Sequence, residues 1–136
     1  MLRTTILLAD DNSSVLIHVG RMLEKDRDCQ VVGAISDGRA ILRESLDLRP
    51  DVIILDISLG ELNGIEVAKQ LREAGCVAKI IFLTVHEDLD YKNAAMEAGG
   101  SAYVVKSRLS LDLLAAIHAV LSNQIFVSPC LLHEPG

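Results

Sequence analysis

The chain of 136 residues has the length of one compact domain, and half of its residues are hydrophobic. Only 3% are aromatic, so we expect an aliphatic core, and the net charge of −6 excludes a broad basic face that would bind nucleic acid directly. Cys29, Cys76 and Cys130 lie far apart and form no CxxC motif, which argues against a disulfide framework or zinc site and favours a reducing cytosol. No segment approaches membrane-spanning length.

Strand-like and helix-like segments alternate along the chain. Five short segments rich in Val, Ile and Leu are typical of parallel strands buried on both faces, and they comprise residues 5–9, 30–35, 51–55, 79–84 and 102–105. Apolar residues at helical spacing predict a helix after each strand, around residues 15–23, 41–48, 65–71, 89–98 and 113–121. Asn12, Pro50 and Gly75 mark helix boundaries.

This alternation predicts a flavodoxin-like, doubly wound α/β fold with a five-stranded parallel sheet. The usual strand order for five such repeats is 2-1-3-4-5, with ligands bound where the order reverses, between strands 1 and 3. We assign residues 1–122 to this domain. Residues 123–136 are expected to form a C-terminal tail or the start of a linker, because they are too few for another domain.

Polar side chains stand at the carboxyl ends of four predicted strands. Asp10 and Asp11 follow the first strand, Asp56 follows the third, Thr84 ends the fourth and Lys106 follows the fifth. Each has an ordinary explanation alone, such as a helix cap or a surface lysine at an exposed strand end. Together they predict one acidic pocket, in which three carboxylates would repel one another unless a cation lay among them. Hard oxygen ligands favour Mg²⁺, so the pattern indicates phosphoryl chemistry on an aspartate.

These anchors resemble the receiver domain of two-component response regulators over nearly the whole chain. The match includes Gly64, eight residues after Asp56, and Tyr103, three residues before Lys106. The resemblance implies a cytoplasmic phosphoacceptor that catalyses its own phosphotransfer and dephosphorylation rather than a conventional enzyme. It also implies a sensor histidine kinase as the partner that donates the phosphoryl group.

The resemblance assigns a role to each pocket residue. Asp56 would be the phosphoacceptor, and Asp11, Asp56 and the backbone carbonyl of Ser58 would bind Mg²⁺ directly, with Asp10 acting mainly through water. Lys106 would contact a phosphoryl oxygen as a point charge. These roles agree with phosphoryl transfer, which depends on positioning and on neutralising the equatorial oxygens.

The resemblance also implies a switch. Thr84 would move toward a phosphoryl group on Asp56 and leave space for Tyr103 to turn inward. The surface made by the fourth helix, fifth strand and fifth helix would then change and promote partner binding or a phosphorylation-dependent homodimer. The alternative surface is the first helix with the fifth, where Leu111 and residues 125–127 would extend an apolar patch.

Two positions depart from the family pattern. The family usually has proline four residues after the phosphoacceptor, where this chain has Gly60. Glycine adopts the required turn without fixing φ, so we expect an effect on loop rigidity rather than on chemistry. The family also often has proline after its lysine, where this chain has Ser107, and this leaves the peptide geometry there open.

Three other interpretations compete with the one above. A haloacid-dehalogenase-like phosphatase would need a second aspartate, as the general acid, where this chain has Ser58. A flavodoxin-like FMN protein would place its phosphate against Asp10 and Asp11, which would repel the phosphate unless a metal intervened. Residues 113–129 resemble the end of receivers joined to a LuxR-type DNA-binding domain, so we expect contact with DNA only through an output domain outside these residues. The third interpretation is a stand-alone receiver that acts through protein partners.

Overall fold

The computed structural model describes residues 3–131 and shows strands and helices alternating as predicted. The elements in chain order are β1 Thr4–Ala9, α1 Ser13–Glu24, β2 Cys29–Ile35, α2 Ile41–Leu48, β3 Val52–Leu55, β4 Ser58–Leu59, β5 Leu62–Asn63, α3 Gly64–Glu73, β6 Lys79–Thr84, α4 Leu89–Glu97, β7 Gly100–Val105, α5 Leu109–Leu121 and β8 Phe126–Val127. No helix in this part of the chain is long and apolar enough to cross a membrane.

The main sheet has six strands in the order β2-β1-β3-β6-β7-β8, and every pair is parallel. Its first five strands reproduce the predicted order 2-1-3-4-5. The sixth strand, β8, differs from the prediction, since its two residues lie in the segment expected to be a tail. Val127 pairs with Tyr103, so β8 covers the edge of β7. A two-residue strand carries too little periodic pattern to be recognised in a sequence.

Side-chain caps and turn residues explain where the helices begin and end. The Asn12 side chain accepts hydrogen bonds from the backbone N–H groups of Ser14 (2.9 Å) and Val15 (3.4 Å), which starts α1. The Asn63 side chain similarly accepts from Ile65 N–H at 2.8 Å and starts α3. Helix α2 ends before Arg49, whose φ of 46° is left-handed.

The helices cover both faces of the sheet, as the doubly wound prediction requires. One apolar cluster joins the sheet to α2, α3 and α4, and includes Ile41, Leu71 and Phe82. The other joins the opposite face to α1 and α5, and includes Leu23 and Ile117. Because both faces are packed, the carboxyl edge of the strands is where polar groups can gather without being buried by a helix.

Candidate functional site

Three carboxylates meet where β1 and β3 end. The backbone N–H of Asp10 donates to the Ile35 carbonyl and that of Asp56 to the Ala9 carbonyl, each at 3.0 Å, so sheet-like pairing continues up to the site. One oxygen from each of Asp10, Asp11 and Asp56 lies within 4.8 Å of the others. Asp10 and Asp56 are buried, whereas Asp11 is exposed. The structure therefore brings together the three acids that the sequence predicts at this edge.

Lys106 brings a positive charge into this acidic cluster. Its Nζ lies 2.9 Å from Oδ2 of Asp10 and 2.9 Å from Oδ2 of Asp56. The contact with Asp56 is a well-directed hydrogen bond. The contact with Asp10 is close but poorly aligned, so Asp10 Oδ2 has no well-directed donor among residues 3–131. The Lys106 side chain is 16% exposed, which contradicts the exposed strand end expected for it.

The single positive charge of Lys106 does not balance the negative charge and burial of the acids in the pocket. Burial raises the pKa of the Asp56 carboxyl, and the negative charge of Asp10 raises it further, while hydrogen bonds from Lys106 and from Ser58 N–H only partly offset these effects. Burial acts to lower the pKa of Lys106, but the contacts with Asp10 and Asp56 together outweigh it, and the net pKa is raised. A folded domain that disfavours the Asp56 carboxylate would gain from a further cation nearby.

The donor set fits a divalent cation with a preference for oxygen. Three carboxylates contribute hard oxygen ligands, and a buried oxygen of Asp10 lacks a directed donor. The chain also turns toward the pocket after Asp56, because the Ser58 N–H donates to Asp56 Oδ1 at 3.2 Å. This chemistry suits Mg²⁺, which binds through one or two carboxylates and keeps several waters and phosphate oxygens.

A tight hairpin next to the pocket holds Asp11. Strands β4 and β5 pair antiparallel across a two-residue turn at Gly60 and Glu61. Gly60 has a φ of +64°, and its N–H donates to Asp11 Oδ2 at 3.1 Å. Proline has no N–H and fixes φ near −65°, so this turn excludes it. The departure from the family pattern at Gly60 therefore accompanies a different, hydrogen-bonded turn.

Gly64 allows the backbone of this loop to pass close to Asp56. Its N–H donates to the Ile57 carbonyl at 2.6 Å. A Cβ at position 64 would collide with the backbone carbonyl oxygen of Asp56. A side chain here would displace the backbone that carries the candidate phosphoacceptor, which gives a physical reason for glycine.

Thr84, His86 and Tyr103 form a second hydrogen-bonded group beside the acids. Thr84 is fully buried, and its Oγ1 accepts from His86 N–H at 3.2 Å. The Tyr103 hydroxyl donates to the His86 carbonyl at 2.7 Å, and Tyr103 is also fully buried. The Tyr103 side chain thus already points inward. Because β8 pairs with β7, Tyr103 does not lie on an edge strand of the sheet. Burial, followed by the charge of Asp88, raises its hydroxyl pKa far above the ordinary range.

No peptide bond among the described residues is cis, so the Lys106–Ser107 bond is trans. Lys106 begins a short 3-10 turn, Lys106–Arg108, which leads into α5. The serine after the lysine therefore accommodates an ordinary trans bond while Lys106 still reaches both acids.

Residues 6–118 match the response regulator receiver domain family, and this range contains every anchor from Asp10 to Lys106. The chain belongs to that family. The shared fold and family confirm the sequence-based identification of a receiver domain of a two-component system. Its acids, lysine and buried threonine lie at one edge of the receiver sheet.

The relatives of this receiver domain are regulators of the NarL and LuxR type. YvfU, an uncharacterized transcriptional regulatory protein of Bacillus subtilis (strain 168), is 33% identical over 124 residues, covering 91% of this chain and 62% of YvfU. The nitrate/nitrite response regulator protein NarL of Escherichia coli (strain K12) is 30% identical over 127 residues, covering 93% of this chain and 59% of NarL. The chain thus spans about three fifths of these curated relatives.

A solved structure supports the same assignment. The crystal structure of a LuxR-family two-component response regulator from Aurantimonas sp. SI85-9A1 matches with a TM-score of 0.91 at 30% identity. The match covers 96% of this chain and 93% of that chain. The receiver fold is therefore shared across nearly the whole of both chains.

The receiver site also contains contacts that sequence reasoning missed. The His86 ring stacks on Tyr91, with centroids 4.1 Å apart and an interplanar angle of 13°. His86 Nε2 lies 3.3 Å from Ser58 Oγ. No local pattern signals the contact between His86 and Ser58, because these residues lie 28 positions apart in the chain.

Proposed function

We propose that Asp56 accepts a phosphoryl group from a phosphohistidine of a sensor histidine kinase. The observation that carries this proposal is the position of Asp56 in a receiver domain, buried beside Asp10 and hydrogen-bonded to Lys106 at 2.9 Å. The carboxylate oxygen attacks phosphorus, the phosphorus–nitrogen bond to the kinase imidazole breaks, and an acyl phosphate forms. A proton neutralises the imidazole leaving group.

The pocket residues supply charge and position for this step. Lys106 Nζ already contacts both buried acids, so it lies close enough to form an ion pair with an oxygen of a phosphoryl group on Asp56. Asp11, Asp56 and the Ser58 carbonyl would hold Mg²⁺ directly, and Asp10 would hold it through water. When bound, Mg²⁺ neutralises the phosphoryl oxygens and the carboxylates together. The same arrangement serves the later hydrolysis, in which water attacks phosphorus, the bond to the Asp56 oxygen breaks and inorganic phosphate leaves, so the domain controls the lifetime of its own modification.

The proposed switch begins at Thr84. Its hydroxyl accepts from His86 N–H, while the Tyr103 hydroxyl holds the His86 carbonyl, so both residues fix the segment that leads into α4. A phosphoryl group on Asp56 offers new acceptors for the Thr84 hydroxyl and would release or shift the His86 segment. A coupling of ~1–3 kcal/mol is enough to move a pre-existing equilibrium.

The surface proposed to change lies along α4, β7 and α5. Because β8 pairs with β7, this surface also includes the segment after α5. A phosphorylation-dependent homodimer would use this face. The α1–α5 face is the second candidate, since Ile17 and Leu111 are large apolar residues exposed on it by 55% and 73%.

We propose a transcriptional output for the full-length protein in the cytoplasm. The support is the set of regulator relatives, of which this chain spans about three fifths, so contact with DNA would require a further domain. The alternative is a receiver that works alone through protein partners. A magnesium-dependent phosphatase is disfavoured, because Ser58 cannot act as the general acid that such a mechanism needs at that position.

A phosphorylation experiment tests the central proposal. Acetyl phosphate and Mg²⁺ should add one phosphoryl group to the intact mass, and Asp56→Asn or excess chelator should abolish the gain. Asp47→Asn is the matched control, since Asp47 is an exposed acid on α2 away from the pocket. A phosphoryl adduct that persists in Asp56→Asn would contradict the assignment.

A further inference from the structure

One buried serine joins the segment after α5 to two other elements. The Ser128 N–H donates to the Tyr103 carbonyl at 2.9 Å. Its Oγ accepts from Val105 N–H at 3.0 Å and donates to Asp112 Oδ2 at 2.9 Å. Ser128 is fully buried, so these bonds do not compete with bulk water. A single residue thus connects β7, α5 and the chain that follows α5.

The buried carboxylate of Asp112 is stabilised by hydrogen bonds from Ser128 and from the charged side chain of Arg108. This carboxylate accepts from Arg108 through Nε at 2.8 Å and through the second guanidinium nitrogen at 3.2 Å. A buried carboxylate is tolerated only when paired and hydrogen-bonded. Removing the Ser128 hydroxyl would leave Val105 N–H and one carboxylate oxygen of Asp112 without this partner, so the network favours one position of the segment.

The bonds from Ser128 reach the strand that carries the candidate site. Val105 directly precedes Lys106, and Tyr103 carries the hydroxyl that holds His86. Beside them, Phe126 and Val127 pair with Ala102 and Tyr103. The last residues of β7 therefore bear pocket groups on one side and the departing chain on the other.

We propose that Ser128 is a positioning residue that couples the carboxyl end of β7 to the chain leaving the domain. This inference rests on the proposed function, since it concerns how a change at Asp56 would reach residues 126–131. Two bonds from Ser128 attach to β7 and one attaches to α5. A shift of β7 against α5 cannot preserve all three, so the segment must either follow β7 and lose its bond to Asp112, or stay with α5 and lose its bonds to β7. The segment after α5 therefore has two alternative positions.

Amide chemical shifts from NMR, measured with and without Mg²⁺ and beryllofluoride as a phosphoryl mimic, test this coupling. In the wild type, signals of Thr84 and Lys106 should shift, and those of residues 126–131 should shift with them. In Ser128→Ala the pocket signals should still respond, whereas the response at residues 126–131 should fall by at least half. Ser122→Ala, an exposed serine at the end of α5, should match the wild type.

A second variant separates positioning from simple structural support. Asp112→Asn removes the buried charge but leaves both bonds from Ser128 to β7, so residues 126–131 should still respond to the mimic. A purely structural role predicts that Asp112→Asn and Ser128→Ala behave alike. Without the mimic, Ser128→Ala should speed Val105 amide exchange by roughly tenfold or more, because its acceptor is lost.

The wild-type measurement decides the matter even if Ser128→Ala fails to fold. A pocket that responds while residues 126–131 stay unchanged would overturn the coupling, and so would an undiminished response in Ser128→Ala. Failure of the proposed function gives a different result, in which neither Asp56 nor Thr84 responds to beryllofluoride. The exchange measurement at Val105 would still test whether Ser128 holds β7.

Discussion

Replacing Asp56 with asparagine should stabilise the metal-free domain. The change removes a buried negative charge and keeps the side-chain size. It loses the ion pair with Lys106, whose Nζ lies 2.9 Å from Asp56 Oδ2, but it also removes repulsion from Asp10 and Asp11. The sign of the effect therefore depends on whether the net attraction exceeds the cost of burying the charge.

The distances allow a comparison. At an effective dielectric constant of about 20, the pair with Lys106 at 2.9 Å contributes about 6 kcal/mol, and repulsion from Asp10, which has an oxygen within 4.8 Å, contributes about 3.5 kcal/mol or more. Exposed Asp11 adds about 1 kcal/mol of repulsion in water-like surroundings. The remaining attraction is smaller than the cost of several kcal/mol for burying a carboxylate. We expect Asp56→Asn to raise the free energy of unfolding by about 2 kcal/mol, or Tm by about 6–10 °C.

Urea and thermal unfolding followed by circular dichroism would measure this change, first in chelator and then with Mg²⁺. The wild type should gain about 1.4 kcal/mol at a Mg²⁺ concentration ten times its Kd. Asp56→Asn should gain less, because one ligand oxygen loses its charge. Asp47→Asn, an exposed control acid, should change stability by no more than about 0.5 kcal/mol in either buffer.

The pH dependence has a defined sign. The pKa of Asp56 is raised in the folded state, so the folded domain binds a proton more tightly than the unfolded chain does. The stability of the wild type relative to Asp56→Asn should therefore fall as pH rises from the unfolded pKa of about 3.9 through the folded pKa. The difference in stability between the wild type and Asp56→Asn should shrink at pH values below both of these pKa values. A wild type as stable as Asp56→Asn in chelator at neutral pH would refute this reasoning.

Two further predictions concern the surroundings of the pocket, and a third concerns the cysteines. Gly64→Ala should lower the free energy of unfolding by about 2 kcal/mol or more, because the new Cβ would collide with the Asp56 carbonyl. Gly20→Ala is the control, since a Cβ at this helical position meets no atom within 4 Å beyond its own helix backbone and chain neighbours, and it should raise the free energy of unfolding by about 0.5–1 kcal/mol. Urea unfolding would measure both changes. Tyr103→Phe should cost about 1 kcal/mol and speed amide exchange around His86, and unchanged exchange there would count against the bond. Burial, followed by the charge of nearby Asp26, raises the pKa of the Cys29 thiol to about 11. A thiol reagent at pH 8 should therefore modify the exposed Cys130 before the buried Cys29, and peptide mass spectrometry would show the order.

The strand-end acids and Lys106 were predictable because parallel strands bring their carboxyl ends to one edge. The prediction needed only the five strands, which follow from hydrophobic periodicity, and the order that is usual for five such repeats. The bond from Gly60 to Asp11 was not predictable, since it depends on a positive φ in a two-residue turn. Strand β8 and the Ser128 contacts were missed for a similar reason. They depend on how the chain returns to β7 after α5, and no local pattern specifies that path.

The same imbalance of charge links stability to the proposed function. A pocket with three carboxylates and one contacting lysine is costly in the metal-free domain, and burial together with the charge of Asp10 raises the pKa of Asp56. The cost makes the pocket responsive, because a divalent cation relieves repulsion that the fold itself cannot remove. A phosphoryl group on Asp56 would then add negative charge where Lys106 and that cation could contact it. A pocket already neutral before phosphorylation would have less to gain from the cation that the proposed reaction requires.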